Sequence, residues 1–341
     1  MYSKNIIQAQ KLQAFKDRHT NVKRTLDPDD VLVDINPDSG RVRPWREKKM
    51  ANELLAMAYD NIDSRKAERL RDCARILQFR IYADGHKRLE SMSSCRVRLC
   101  PLCSWRRQLK VYHNTVKIID FLNEQRGFNY IFLTLTVRNC SADELSGCID
   151  NLMSAWNRMM MRSDVCAAVR GYMRTMEITH NVDIHSDSYN TYHPHFHCIL
   201  AVQPSYFNSR YYISQSKWTA LWQQSLRVDY TPIVDVRRCY GTDSAAVSEC
   251  AKYACKSDEY IIPDDWDLTT ETVRTLDAAL DRRRFVAYGG AMREAHRILN
   301  LEPEDDGSLV DVGAEDSADD NGKYYVETYW WYSGYRQYGR V

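Results

Sequence analysis

HPHFHCILAV, residues 193–202, is the stretch whose reading decides the fold. Its latter part, 195–202, is aromatic, β-branched and aliphatic, which is strand composition. Side chains on a strand alternate faces, so His195 and His197 share one face while Phe196 and Cys198 enter the opposite layer. Two neighbouring imidazoles can each offer a nitrogen to one divalent ion. A lone His-x-His pair is weak evidence, and on its own it favours two ordinary strand histidines over a metal site.

Just upstream, GYMRTMEIT (171–179) is a second strand, separated from the first by a loop rich in Asn, Asp and Ser. If the two pair antiparallel, Glu177 lies beside both imidazoles. Two histidines and a carboxylate then form a three-ligand site with positions left open for water and phosphate oxygens, which suits Mg²⁺ or Mn²⁺. Alternatively, Glu177 is a surface acid paired with Arg174. His180 is a rival third ligand, although its odd spacing from Glu177 turns it to the other face.

Further out, NYIFLTLTV (129–137) and VDVRRC (234–239) are strands, and 143–163, 214–228 and 243–257 are helical. Trp218 and Trp222 stand one turn apart on the second of these helices. Strands interrupted by helices around a hairpin imply an α+β domain, a central antiparallel sheet flanked by helices, over 127–300. Residues 1–44 are loop-like, with DPDD and NPDSG turns, and a helix is expected from Trp45 to about Leu77. The expected division is therefore an N-terminal extension (1–60, partly helical), a basic Cys-rich region (61–126), the sheet domain (127–300), an acidic disordered linker (301–322) and an aromatic tail (323–341). The tail can stack on bases or fold back on the protein, and it receives no role.

In the segment ECAKYACK (249–256), a helix would bring Glu249, Tyr253 and Lys256 within about 60° of one another. A carboxylate, a phenol and an ammonium would then project together from the edge of a docked helix. A phenol is a poor nucleophile near neutrality, but a metal polarising a phosphate and a nearby Lys⁺ favour its attack. An ordinary amphipathic helix with a polar stripe accounts for the same pattern.

The chain has 341 residues, 44% of them hydrophobic, enough to bury a sizeable core. No run approaches the ~20 apolar residues needed to cross a bilayer, and the N-terminus has no signal-peptide pattern, which points to the cytoplasm. The net charge of +1 is an average. Residues 1–126 carry about ten more bases than acids, which suits a polyanion, whereas 302–320 carry acids only.

Eleven cysteines in a reducing compartment favour metal binding over disulfides. Cys95, Cys100 and Cys103 have knuckle-like spacing, and Cys73 upstream completes a set of four, unless His86 takes its place. Four soft thiolates suit a structural Zn²⁺. A cluster of buried free thiols is the simpler alternative. Around these cysteines Arg96, Arg98, Arg106, Arg107 and Lys110 suit phosphate contact, and Trp105 is available for stacking.

Together the motifs resemble the replication initiators of small rolling-circle plasmids, the single-tyrosine branch of the HUH endonucleases. FLTLTVRN (132–139) is similar to the family's first motif, HPHFHCIL (193–200) to its metal-binding motif and KYACK (252–256) to its tyrosine motif. Family members also carry a cysteine pattern before the first motif. The resemblance spans about Cys73 to Leu299. It implies an HUH-type sheet in which His195 and His197, with Glu177 as third ligand, hold the catalytic ion. Tyr253 would attack the phosphate, leaving a 5′-phosphotyrosyl link and a free 3′-OH. Glu249 would activate water for the terminating cleavage, and Lys256 would steady the phosphate or phenolate. Plasmid origin DNA, a host helicase and a DNA polymerase are the implied partners. A mobilisation relaxase or single-strand transposase of the same chemistry, a non-catalytic zinc-containing DNA-binding regulator and a water-using phosphodiesterase are the alternatives.

Overall fold

The computed structural model describes residues 26–37, 39–239, 244–251, 255–305, 307–313 and 323–341. The first helix, α1 (Trp45–Tyr59), buries Trp45, Lys49, Asn52, Leu55, Ala56 and Tyr59, a stripe at three- and four-residue spacing. The helix expected to run on to about Leu77 is interrupted. Asp63 accepts from the amides of Arg65 and Lys66 and so caps a second helix, α2 (Ser64–Asp72). Beyond it, ILQFRIY is β1 (Ile76–Tyr82), because its branched and aromatic residues prefer a pleated, half-buried surface. The chain continues through β2 (Lys87–Met92), α3 (Pro101–Arg126), β3 (Asn129–Thr136), α4 (Leu145–Met160), α5 (Ser163–Ala168), β4 (Val169–Asn181) and β5 (Thr191–Val202). Then come α6 (Gln215–Leu226), β6 (Val234–Cys239), α7 (Ser244–Cys250), α8 (Trp266–Leu280), β7 (Val286–Gly289), α9 (Gly290–Ile298), β8 (Tyr324–Tyr332) and β9 (Gln337–Arg340).

The described residues form two compact units, one drawn from within 1–106, 261–274 and 309–341 and the other from within 107–260 and 275–308. Strand pairing gathers distant segments, so this grouping differs from the sequential division read from composition. The first unit contains an antiparallel sheet in the order β2-β1-β8-β9. The aromatic tail supplies two of its strands, and its Glu327, Tyr329 and Trp331 are buried in alternation. Within this unit Trp45 packs edge-on against Phe79 and Trp105, with centroids 6.0 and 4.7 Å away.

The second unit contains the central antiparallel sheet of the α+β fold, in the order β6-β3-β5-β4-β7. On one face Trp156 of α4 meets Phe196 and Tyr172 edge-on, at 5.8 and 5.0 Å. The Arg174 guanidinium lies 4.3 Å from the Phe196 ring centroid on this same face, away from Glu177. Trp218 and Trp222 of α6 are fully buried, and the Trp222 indole donates to the Thr136 carbonyl at 2.8 Å. Gly290 is required where β7 meets α9. It sits at φ +55°, and a Cβ there would stand 2.2 Å from the Arg170 carbonyl oxygen.

Part of the acidic stretch is packed. Glu302 accepts from Lys110 at 2.5 Å and Glu304 from Asn114 at 2.9 Å within the second unit. Leu309 and Val312 are buried in the first unit. Residues 314–322 lie outside the described residues. Among the described residues no helix is long and apolar enough to cross a membrane.

Candidate functional site

The register of three strands builds the first cluster. Glu177 of β4 pairs with His195 of β5, and Thr136 and Thr134 of β3 pair with His195 and His197. Alternation then turns Glu177, His195 and His197 to one face, where their ligand atoms lie within 4.8 Å of one another. The Nε2 atoms of His195 and His197 are 3.4 and 3.1 Å from the same Glu177 oxygen, Oε2. All three residues are buried.

The hydrogen bonding fits a bound cation. Nδ1 of His195 lies 2.9 Å from the His193 carbonyl oxygen, which can only accept, so Nδ1 carries the hydrogen. Nε2 of His195 therefore faces the Glu177 carboxylate, where it can donate when the ring is protonated or give its lone pair to a cation held between them. Nδ1 of His197 is held by Thr134 Oγ1 at 3.3 Å, which is how the first motif supports the second. The buried Oε1 of Glu177 makes no close hydrogen bond and faces the Lys256 ammonium at 3.5 Å. Burial raises the Glu177 carboxyl, but hydrogen bonds and charge from both histidines outweigh it and hold the group well below the usual carboxylate range.

Two further predicted residues reach this cluster. Glu249 Oε1 on α7 is 3.7 Å from His197 Nε2, and Lys256 Nζ is 3.5 Å from Glu177 Oε1. Burial lowers the Lys256 ammonium, but Glu177 and Glu259 more than compensate and raise it. The helix expected over 243–257 is observed as Ser244–Cys250. Lys256 is instead extended, and Glu259 accepts from its backbone amide at 3.1 Å, closing a short 3-10 turn. Tyr253 lies outside the described residues. The rival ligand His180 faces away from the cluster. Its ring stacks on Tyr192 and is held by the Glu259 carbonyl at 3.0 Å and the Asn190 side chain at 2.9 Å.

Glu259 and His193 were missed by the sequence reading. Glu259 is half-buried, and its loss of solvent pushes its carboxyl up to about 7 despite Lys256. His193 stacks on His195 at 5.1 Å, and its same-face spacing was the available signal. Burial and the His195 charge lower its pKa.

The second cluster is Cys73, Cys95, Cys100 and Cys103, all buried, with Sγ atoms within 4.8 Å of one another. The Sγ separations are 3.6 Å for Cys73–Cys100, 3.6 Å for Cys73–Cys103 and 3.7 Å for Cys95–Cys103. Zinc–sulfur bonds of ~2.3 Å in a tetrahedron place sulfurs about 3.8 Å apart, so the four fit such an ion. They are too far apart for disulfides, whose sulfurs sit at ~2.05 Å. Ala74 and Arg96, each directly after a cysteine of the set, have positive φ of 48° and 55°. The Cys95 amide donates to Cys73 Sγ at 3.5 Å. His86 is not a ligand: it stacks on Tyr82 and bonds Asp84.

Sequence reasoning also missed Lys49 and Asn52 on α1, both fully buried beside the thiols. Lys49 Nζ donates to the carbonyls of Arg71 and Cys73 at 2.7 Å each. Asn52 Oδ1 accepts from Cys100 Sγ at 3.1 Å. Nothing in the local sequence marks either residue, because α1 is brought to the thiols by tertiary packing alone.

The five basic residues proposed for phosphate contact divide. Arg96 is exposed and Arg98 half-buried. Arg106, Arg107 and Lys110 are buried, a correction to the sequence reading. Arg106 donates to the carbonyls of Leu309 and Val310 at 2.8 and 2.6 Å, and Lys110 donates to Glu302. Arg106 and Lys110 thus serve the packing of residues 302–310. Trp105 is likewise buried, against Trp45.

A family model described as Replication protein matches residues 86–338. The chain belongs to this replication protein family. It is 38% identical over 330 residues to a "Protein rep" of Bacillus amyloliquefaciens, covering 88% of this chain and 94% of that one. A "Protein rep" of Lactiplantibacillus plantarum is 38% identical over 296 residues, covering 84% and 91%. One from Streptococcus pneumoniae is 34% identical over 290 residues, covering 83% and 87%. This membership agrees with the resemblance to plasmid Rep initiators carried by the motifs. No solved structure matches the chain.

Proposed function

We propose that this Rep-family chain initiates rolling-circle replication of a plasmid by cutting one strand of its origin and joining itself to the 5′ end. The observation that carries the proposal is the meeting of Glu177, His195 and His197 on one sheet face, with Glu249 and Lys256 at its edge. Two nitrogens and a carboxylate oxygen suit Mg²⁺ or Mn²⁺, which when bound would polarise the scissile phosphate.

In the cleavage step the Tyr253 oxygen attacks phosphorus and loses its proton, while the P–O3′ bond breaks. The O3′ leaving group takes up a proton, giving a 5′-phosphotyrosyl link and a free 3′-OH for a polymerase to extend. Tyr253 receives this role from the motif resemblance. Lys256, whose charged form is favoured beside Glu177, balances negative charge on the phosphate and phenolate. Glu249, with its side chain 35% exposed and directed at His197, stands where water can reach it and takes the water proton in the terminating cleavage. A host helicase to open the duplex is the partner this scheme requires.

In this scheme the four-cysteine cluster holds a structural Zn²⁺, with Lys49 as the buried cation offsetting the surplus charge of four thiolates. The test is cleavage of single-stranded origin DNA with Mn²⁺ added. His195→Ala should lose metal-dependent cutting, and Glu249→Ala should still cut but fail to release the protein from DNA. Unchanged cutting by His195→Ala would remove the metal site, and normal release by Glu249→Ala would remove that residue from its role.

A further inference from the structure

We propose that the outer face of the four-stranded sheet is a platform for single-stranded DNA. The inference rests on the reading of the chain as an enzyme of origin DNA, and it assigns the aromatic tail, which the cleavage chemistry does not use.

On β8, Glu327, Tyr329 and Trp331 point inward, so Tyr324, Val326, Thr328 and Trp330 share the other face. The register sets these four beside Tyr82, Arg80, Gln78 and Ile76 of β1, and Arg88 of β2 beside Arg80. Tyr324, Val326 and Ile76 are 45, 48 and 40% exposed, which is unusual for large apolar side chains standing together. Each end of the strip carries an arginine on an aromatic ring. Arg80 lies 4.8 Å over Tyr324, and Arg75 lies 4.8 Å over Trp330. Arg75, Arg80 and Arg88 outnumber the two acids paired with them, Asp72 with Arg75 and Glu90 with Arg80.

Aromatic planes interleaved with guanidinium groups match the two parts of a nucleic acid strand, bases to stack on and phosphates to neutralise. Bases offer their faces only when they are unstacked from a duplex, so the occupant is a single strand. From Tyr324 to Trp330 the strand rises about 20 Å, room for several nucleotides. Nicking and unwinding generate such a strand.

The test uses full-length protein and a dye-labelled 20-nucleotide single strand of mixed sequence, with anisotropy as readout. Tyr324→Ala with Trp330→Ala should weaken binding by about tenfold or more, and Tyr324→Phe with Trp330→Phe should restore most of it. Affinity for a duplex of the same sequence should change less than twofold. Equal single-strand affinity of the alanine variant and wild type would overturn the proposal, as would an equal loss for duplex. A fold-independent check is photo-crosslinking of wild-type protein to iodouracil-substituted single strands. Crosslinks within residues 323–332 support the platform, and crosslinks confined to other peptides overturn it. Crosslinks there, together with no tyrosine adduct when the protein meets single-stranded origin DNA and Mn²⁺, would leave the platform standing and remove the cleavage reading.

Discussion

The two clusters able to hold metal ions differ in how far they are closed. Cys73, Cys95, Cys100 and Cys103 form a complete set of four soft ligands, buried, with Lys49 and Asn52 packed beside them. Glu177, His195 and His197 supply only three ligands of mixed hardness, and the Lys256 side chain at their margin is 50% exposed. A tetrahedral sulfur site leaves an ion no free position, so the ion acts as a strut. A three-ligand site leaves positions for substrate oxygens, so the ion acts as a tool. The difference teaches that the roles proposed for the two clusters rest on ligand count and softness more than on burial, since both clusters are buried.

Stripping the thiolate site should give the largest effect. Zinc binding of this kind is worth ~10–16 kcal/mol in small metallo-domains, so Cys100→Ser or chelation should unfold the β2-β1-β8-β9 sheet. Calorimetry should then show a lost or strongly lowered transition, and an unchanged one would erase the contrast. His197→Ala should do the reverse, cutting cleavage about 10³-fold, equivalent to ~4 kcal/mol, while the melting temperature moves by only a few degrees. Lys49→Met sharpens the contrast further. It should weaken zinc retention about 10–100-fold in a chelator competition and leave Mn²⁺-dependent cleavage kinetics alone.

The smallest effect is a pH dependence at Glu259. Burial raises its folded pKa to about 7, so the folded state holds a proton that the unfolded state releases earlier. Its contribution to stability is therefore present below the unfolded pKa and is lost as pH rises through about 7. Glu259→Gln should make the metal-free protein more stable at pH 8 by at most about 2–3 kcal/mol, with little change at pH 4. Denaturant titrations at the two pH values check the sign.

The meeting of Glu177, His195 and His197 was largely legible in the sequence, because strand alternation and hairpin pairing are local rules. His195, His197 and Glu177 needed only period two and one register. VDVRRC was read with its observed boundaries, 234–239. The thiolate set was legible from spacing, although choosing Cys73 over His86 took the fold. Long-range pairing was not legible. The tail joins β1 through strands some 250 residues apart in sequence, as in the pairing of Gln78 with Thr328, and no local pattern encodes that partner. Arg106, Arg107 and Lys110 looked like phosphate contacts because composition reports charge and not burial. The carbonyls of Leu309 and Val310 that hold Arg106 lie about two hundred residues away.

The most direct test of the central claim is to incubate the protein with Mn²⁺ and single-stranded origin DNA, then digest it and map the DNA-bearing peptide. The account predicts a 5′-linked adduct on Tyr253 that disappears in Tyr253→Phe and His197→Ala. Cleavage with no adduct, or an adduct on another residue, would contradict it.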